Sequence, residues 1–201
     1  MKLCKKKAIA LILLVVVLVA AVVLLHNSAA KNIDFSPDTV QEDLKEIYGF
    51  WEGKSTPHLQ GSYSEDVMNY INSKAQAYRK IEPETMEKND IEVNVKLLDK
   101  KETKGYLKLL YGVEVKFIYV KSGNSTDEGN PEYSGYGTEV LVTLNKQSNY
   151  EVIDMVESMN WFDDMIRDTS IMPYDLREMM NSNEGSTMPS EDKIKIHMGF
   201  S

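Results

Sequence analysis

The order of hydrophobic periods along this 201-residue chain predicts an α+β fold: an N-terminal transmembrane helix, then two helices packed on a curved antiparallel sheet of at least four strands. Three observations carry that reading. An uncharged apolar run extends from Ala8 to Leu25; apolar residues then recur at helical spacing between residues 40 and 78; and from Ile91 the period shortens to two. Helices first and strands afterwards give separate α and β layers, not an alternating parallel sheet.

As a helix, the run Ala8–Leu25 reaches roughly 27 Å at about 1.5 Å per residue, enough for a bilayer core. A secretory signal has an apolar region of only about 7–15 residues, so this segment reads as a retained signal anchor. Cleavage near residue 29 or 30, with Ser28 or Ala30 in the small-residue positions, is the alternative and gives a secreted protein. Lys2, Lys5, Lys6 and Lys7 precede the run and only Lys31 follows closely, which keeps the basic end in the cytoplasm and places everything beyond residue 30 outside it. Cys4 is the only cysteine, and it precedes the run, whereas a bacterial lipoprotein cysteine directly follows one. No lipid attachment is expected, and the exported part, lacking cysteine, must rest on a packed core instead of disulfides.

The expected organisation is a cytoplasmic basic tip and signal anchor over 1–30, an extracytoplasmic α+β domain over 31–168, and a partly ordered Met-, Ser- and Asn-rich tail over 169–201. In "SPDTVQEDLKEIYGFWEG", Ser36 is a helix cap, Pro37 the first helical residue and Gly53 the stop, while Val40, Leu44, Ile47, Tyr48 and Trp51 form one apolar face. The second helix, "SEDVMNYINSKAQAYRKI", puts Val67, Ile71, Ala75 and Tyr78 on one side and ends before Pro83. Ser62 with Glu65 has capping-box spacing, and Ser64 competes as the cap.

Ile91, Val93, Val95 and Leu97 alternate with polar residues, the mark of a strand with one wet face. After the turn "DKKETKG", a long strand carries Leu107, Leu109, Tyr111, Val113, Val115, Phe117 and Tyr119 on one side, and Gly112 in its middle predicts a bulge or bend. The loop "SGNSTDEGNPEYSG" precedes two more strands joined around Gln147 and Ser148. The first has Thr138, Val140, Val142 and Leu144 on one face; the second has Tyr150, Val152, Asp154 and Val156 on one side and Ile153 and Met155 on the other. A helix at "NWFDDMIRD" follows, and the tail is expected to hold one short helix, "PYDLREMMNS", with otherwise loose packing.

Charge removes some function classes. All 31 acidic residues lie beyond residue 30, whereas four of the 23 Lys and Arg precede it, so the exported part is more acidic than the −8 of the whole chain. Such a surface repels phosphate backbones and anionic headgroups, and no basic stripe offsets it; no nucleic-acid partner is expected.

The three histidines, His26, His58 and His197, are far apart and none has a partner at zinc-ligand spacing. Asn124, Thr126, Glu128 and Gly129 start a frame like a calcium-binding EF loop, but its twelfth position is Gly135, where a bidentate Glu is needed. No metal and no cofactor are expected. Asp154, Glu157, Asp163 and Asp164 cluster near Trp161 and Phe162, and carboxylates beside aromatic rings suit acid–base work; helix capping and a solvated acidic face account for them more simply. Tyr48, Phe50, Trp51, Tyr63, Tyr70 and Tyr78 read first as core filling and second as the lining of a pocket. Met172, Met179, Met180 and Met188 read as part of the loose tail, with an adaptable contact surface as the other option. No residue is assigned a catalytic, cofactor-binding or metal-ligating role.

The element order resembles the cystatin-like and nuclear-transport-factor-2-like superfamily, whose N-terminal helices pack into a strongly curved sheet. The segment "GYGTEVLVTLNKQSNYEVIDMVESMNWFDDMI" is similar to the end of the small sheet domains that precede putative amidase domains in exported bacterial proteins. No amidase segment follows here as far as Ser201, so cell-wall hydrolysis is not expected. An anchor followed by one such domain also resembles the inner-membrane assembly factor of type IV secretion and conjugation machines. The resemblance implies, through isomerase-like relatives, an enzyme reading that needs an inward Asp with a Tyr hydroxyl in reach, a role for which Asp154 is the candidate. The leading expectation is a single-pass, membrane-anchored, extracytoplasmic binding or scaffold module of a bacterial cell surface, non-enzymatic, with a protein or cell-wall partner. A small-ligand carrier or isomerase using the cone interior, and an accessory subunit of a secretion complex, are the alternatives.

Overall fold

Residues 36–81, 86–121, 132–167 and 174–198 are described by a computed structural model of the chain. The run Ala8–Leu25 and its transmembrane reading lie outside them; among the described residues no helix is long and apolar enough to cross a membrane.

Helix α1 (Pro37–Trp51) starts where its cap residue dictates: the Ser36 hydroxyl accepts the Asp38 amide at 3.2 Å, and Pro37 takes the first turn, where no donor is needed. Its predicted apolar face is buried throughout, and Gly53, at φ 108°, turns the chain just past its end. Helix α2 (Glu65–Ile81) follows a loop whose last residues pair with the sheet. The Ser62 carbonyl and Ser64 amide bond to both backbone groups of Val152, which fixes the helix entry. Ser64 is therefore the cap, its hydroxyl accepting the Val67 amide at 3.4 Å, and the Ser62–Glu65 alternative is not used.

Four strands, β1 (Met86–Glu102), β2 (Tyr106–Lys121), β3 (Glu132–Asn145) and β4 (Glu151–Glu157), form a curved antiparallel sheet in the order β1-β2-β3-β4. Glu132–Gly135, expected at the end of a polar loop, belong to β3 and pair with β2. The β2–β3 register runs unbroken from Tyr106↔Asn145 to Tyr119↔Glu132. Irregularities fall on the outer strands only: Asp90–Ile91 and Leu98 in β1, and Ile153 in β4. The bend expected at Gly112 of β2 is thus carried by its neighbour. Gly112 has the complementary task, since a side chain there would press on Leu98, whose Cδ1 lies 3.3 Å from the added carbon. Extra residues on one strand increase local twist and bend it, so bulges confined to the outer strands curve the sheet without breaking its central pairing.

The Ile153 bulge also corrects the reading of β4. Thr143 faces Asp154 but Leu144 faces Val152, so the alternation changes phase between them. Val152 and Met155 point into the main core with α1 and α2, whereas Asp154 and Val156 point to the opposite, outer face.

Helix α3 (Trp161–Arg167) adds Phe162 and Ile166 to the main core. The stretch expected to be loose beyond one short helix is packed where described. Helix α4 (Leu176–Asn181) lies on the outer face over Leu110, Leu141 and Val156, and helix α5 (Glu191–Met198) inserts Ile194 into the main core beside α2. Apolar side chains on both faces of β3 at Val140, Leu141 and Val142 mark a strand covered on two sides.

The close β2–β3 pairing yields one test. A methyl group at Gly135 meets the Val115 carbonyl oxygen at 2.4 Å, whereas one at Gly137 lies 3.7 Å from the Val113 oxygen. Gly135→Ala is expected to lower the stability of unfolding by about 1–3 kcal/mol and Gly137→Ala to leave it nearly unchanged, both read from urea midpoints; equal effects would refute this register.

Candidate functional site

The spacing of α2 places a lysine where an apolar residue belongs. Lys74 follows Ile71 by three positions and Tyr70 by four, which points its side chain inward, and it is 1 % exposed. Its ammonium lies 3.7 Å from the centre of the Trp51 ring and is ion-paired with Glu157 at the end of β4. Glu157 also accepts from the hydroxyls of Tyr48 (2.6 Å) and Tyr70 (3.0 Å) and from the Asn160 amide. Asn160 in turn accepts the Phe162 amide at 3.0 Å and so caps α3.

A second set of bonds abuts the first. Asp163 accepts the Glu157 amide (3.3 Å) and the Arg167 Nε (2.9 Å), and Arg167 reaches past the outer strand to the Met155 carbonyl (2.6 Å) and Asp154 (3.3 Å). Burial pulls the Lys74 ammonium below its ordinary value, with Glu157 opposing the shift. Burial also raises the Asp163 carboxyl, an effect that Arg167 counters. An uncompensated charge at either place costs several kcal/mol, roughly 3–5 when one partner is removed, which explains why every charged atom here is paired.

The expected acidic cluster is therefore divided. Glu157 and Asp163 face the interior; Asp154 is on the outer face, where Thr187 donates to it through both its amide (3.0 Å) and its hydroxyl (2.7 Å); Asp164 is half-buried on α3. The placement of Asp154 on the Val152 side is corrected by the Ile153 bulge, and the inward position that the alternative enzyme reading requires of Asp154 is not met. Glu157 instead has two tyrosyl hydroxyls in reach. Yet Glu157, Tyr48, Tyr70 and Lys74 are 0–3 % exposed, leaving a substrate no path to the carboxylate in this conformation.

The aromatic group divides similarly. Tyr48, Phe50, Trp51 and Tyr70 are core, while Tyr78 stacks on the half-exposed Trp161 at 5.6 Å. Tyr63 donates to Asp43 (2.9 Å), a buried carboxylate on the apolar face of α1 that also accepts the Gln60 and Gly61 amides and so ties down the loop between the helices. A comparable pair forms at Glu52, which accepts from Tyr136 (2.7 Å) and Lys88 (2.5 Å). Met180 is buried in the outer core, and Met179 and Met188 are half-buried; Met172 lies outside the described residues.

His58 is exposed; His26, Cys4, the His197 side chain and residues 124–131 of the calcium-like frame lie outside the described residues. Among the described residues no group of three His, Cys, Asp or Glu is placed to hold a metal ion.

Beyond α4 the outer face of the sheet is open. A trough of about 900 Å³ runs over Glu92, Glu114, Lys116, Ile118, Gly135 and Gly137 beside Tyr133, which is 78 % exposed. It adjoins a second hollow of about 600 Å³ over Lys96, Leu98, Gly112 and Glu139, sharing Glu114 and Gly137 with it. Glycines at three of these positions keep the floor low, and ionisable groups of both signs line it. Sequence patterning marked Glu92 and Lys96 as lying on a wet strand face, Gly112 as a bend and Gly135 as the twelfth position of the calcium-like frame, and did not bring them together. No family model matches the chain, and neither does any curated protein or solved structure.

Two outcomes test the interior. Lys74→Met or Glu157→Gln alone is expected to cost about 3–5 kcal/mol of stability, and the double variant less than the sum of the two, as a urea-denaturation cycle would measure. The phenols of Tyr48, Tyr63 and Tyr70 are held well above their ordinary value by burial first and neighbouring carboxylates second. Stabilisation from phenols kept neutral is complete below about pH 10 and is lost as pH rises beyond the unfolded value. In an alkaline titration these phenolates should therefore appear together with the loss of circular dichroism; their ionisation in an intact fold would contradict the burial.

Proposed function

We propose that the chain is a membrane-anchored extracytoplasmic module of a bacterial cell surface that binds a protein or cell-wall partner through the open face of its sheet and catalyses no reaction. The observation that carries this reading is the contrast between the two faces. The inner face is filled, with its buried charges paired or hydrogen-bonded, while the outer face past α4 presents a long, low trough with an exposed tyrosine. The run Ala8–Leu25 with its preceding lysines supports the tether and the outward orientation. Two helices on one side of a curved sheet support the likeness to cystatin-like and nuclear-transport-factor-2-like domains.

A second reading, an isomerase or small-ligand carrier acting inside the fold, is favoured by one constellation: Glu157 with the Tyr48 and Tyr70 hydroxyls at bonding distance. It requires the interior to open.

Fractionation of the expressing cell, with mass measurement of the N-terminal peptide, tests the tether: recovery in the membrane with residues 1–30 retained is expected, and recovery in the cytosol with those residues intact refutes it. Photo-crosslinking on intact cells from position 133, compared with position 46 on α1, tests the face. An adduct confined to position 133 and lost when Gly137 is replaced by Arg supports the reading. Equal labelling from both positions contradicts it.

A further inference from the structure

The two edges of the sheet differ. That of β4 is met by the loop before α2, whose Ser62 carbonyl and Ser64 amide bond to Val152. That of β1 is bare: among the described residues no backbone group between positions 91 and 97 bonds beyond the β1–β2 ladder. A row of unpaired amides and carbonyls is a template for another strand, and an edge is ordinarily blunted by a bulge, a proline or a lone charge.

Here the bulges bracket the edge instead of breaking it. Between Asp90–Ile91 and Leu98, residues 92 to 97 pair with β2 without interruption, and β1 contains no proline. Glu92, Asn94 and Lys96 are exposed on the outer side, while Ile91, Val93 and Leu97 pack on the main core from the inner side and are only half-buried. Each of these three keeps apolar surface that a further strand would cover.

The order of residues selects the strand. Read outward from Asn94, "IEVNVKL" sets Val93 against Val95, Glu92 against Lys96 and Ile91 against Leu97. Two such edges paired antiparallel about a two-fold axis at Asn94 place Glu92 of each copy directly opposite Lys96 of the other on one face, and valine opposite valine on the other face. Glu92 and Lys96 are the only charged residues of the unbroken stretch, so no other register within it opposes unlike charges. A slip of one residue brings apolar side chains onto the charged face. Moving the axis to Glu92 or to Lys96 sets like charges against each other. Lys96 also has room for a partner: across the ladder it faces Gly112, and among the described residues it makes no ion pair.

We propose that β1 is a self-association edge, to which a second copy of this chain adds its own β1, antiparallel and centred on Asn94. Glu92 lines one hollow of the outer face, and Asn94 and Lys96 line the other, so the pairing carries the floor of the trough from one copy into the next. The contact uses the strand edge and not the face, and it stands whatever the face binds.

Cysteine crosslinking of the full chain, in the cell fraction where it is recovered, tests the register. With the native thiol removed by Cys4→Ser, Asn94→Cys is expected to give a disulfide-linked homodimer on mild oxidation, because directly opposed Cβ atoms lie about 4.5–5.5 Å apart. Glu92→Cys or Lys96→Cys alone should give little, since each is four residues from its own copy, roughly 13 Å at about 3.3 Å per residue; the two together in one chain should link. Glu114→Cys, exposed on the central strand β2, sets the background. Glu92→Lys should lower the yield from Asn94→Cys several-fold, and adding Lys96→Glu should restore it, which also shows that the fold tolerates the exchange. A yield at position 94 no higher than at 114, an equal yield from position 92 alone, no recovery in the double exchange, or an adduct with another protein in place of the homodimer overturns the proposal.

Discussion

One buried ion pair constrains the rest of this domain. Lys74 of α2 and Glu157 of β4 meet in the core under the Trp51 ring, and the remaining bonds to Glu157 come from Tyr48 on α1, Tyr70 on α2 and Asn160 at the start of α3. A lysine in an apolar interior is tolerated only where an anion and a polarisable surface are already in place. Turning α2 by one residue swings its side chains by about 100° and takes the ammonium out of reach. The two long helices, the last strand and the helix after it are thus held to one relative arrangement by a single carboxylate.

The curvature of the sheet has a related origin. The central pair β2–β3 is continuous, and the outer strands take up the mismatch through bulges at Asp90–Ile91, Leu98 and Ile153. The third of these also changes which face Asp154 sees. Because Thr143 and Asp154 point outward together, the outer face acquires a polar patch beside α4, while the inner face keeps charges that are ion-paired or, as at Asp43, hydrogen-bonded. One extra residue in a strand of seven accordingly decides whether an acid serves the core or the surface.

Buried carboxylates recur along α1, one in its middle and one just past its end. Asp43 gathers the loop amides of Gln60 and Gly61, and Glu52 gathers Tyr136 and Lys88 from two strands. Each holds an irregular or terminal segment that apolar packing alone would leave loose, since a loop's backbone groups must be bonded when they are buried.

By itself the sequence determined the α+β order, the limits and apolar face of α1, the inward residues of β2, and the connection around Gln147, because each follows from local periodicity, a cap or a turn. It also carried an unread signal for two buried polar sites: Lys74, of the ion pair, and Asp43, which ties down the loop, are polar residues at apolar helical positions, a pattern that helical spacing exposes once it is sought. The tertiary structure alone decided the face of Asp154, the partner of Glu157, the covering of Leu110 and Leu141 by α4, and the packing of Ile194. Those outcomes depend on bulges and on contacts between residues distant in the chain, such as Tyr48 with Glu157, and neither leaves a period in the sequence to be read.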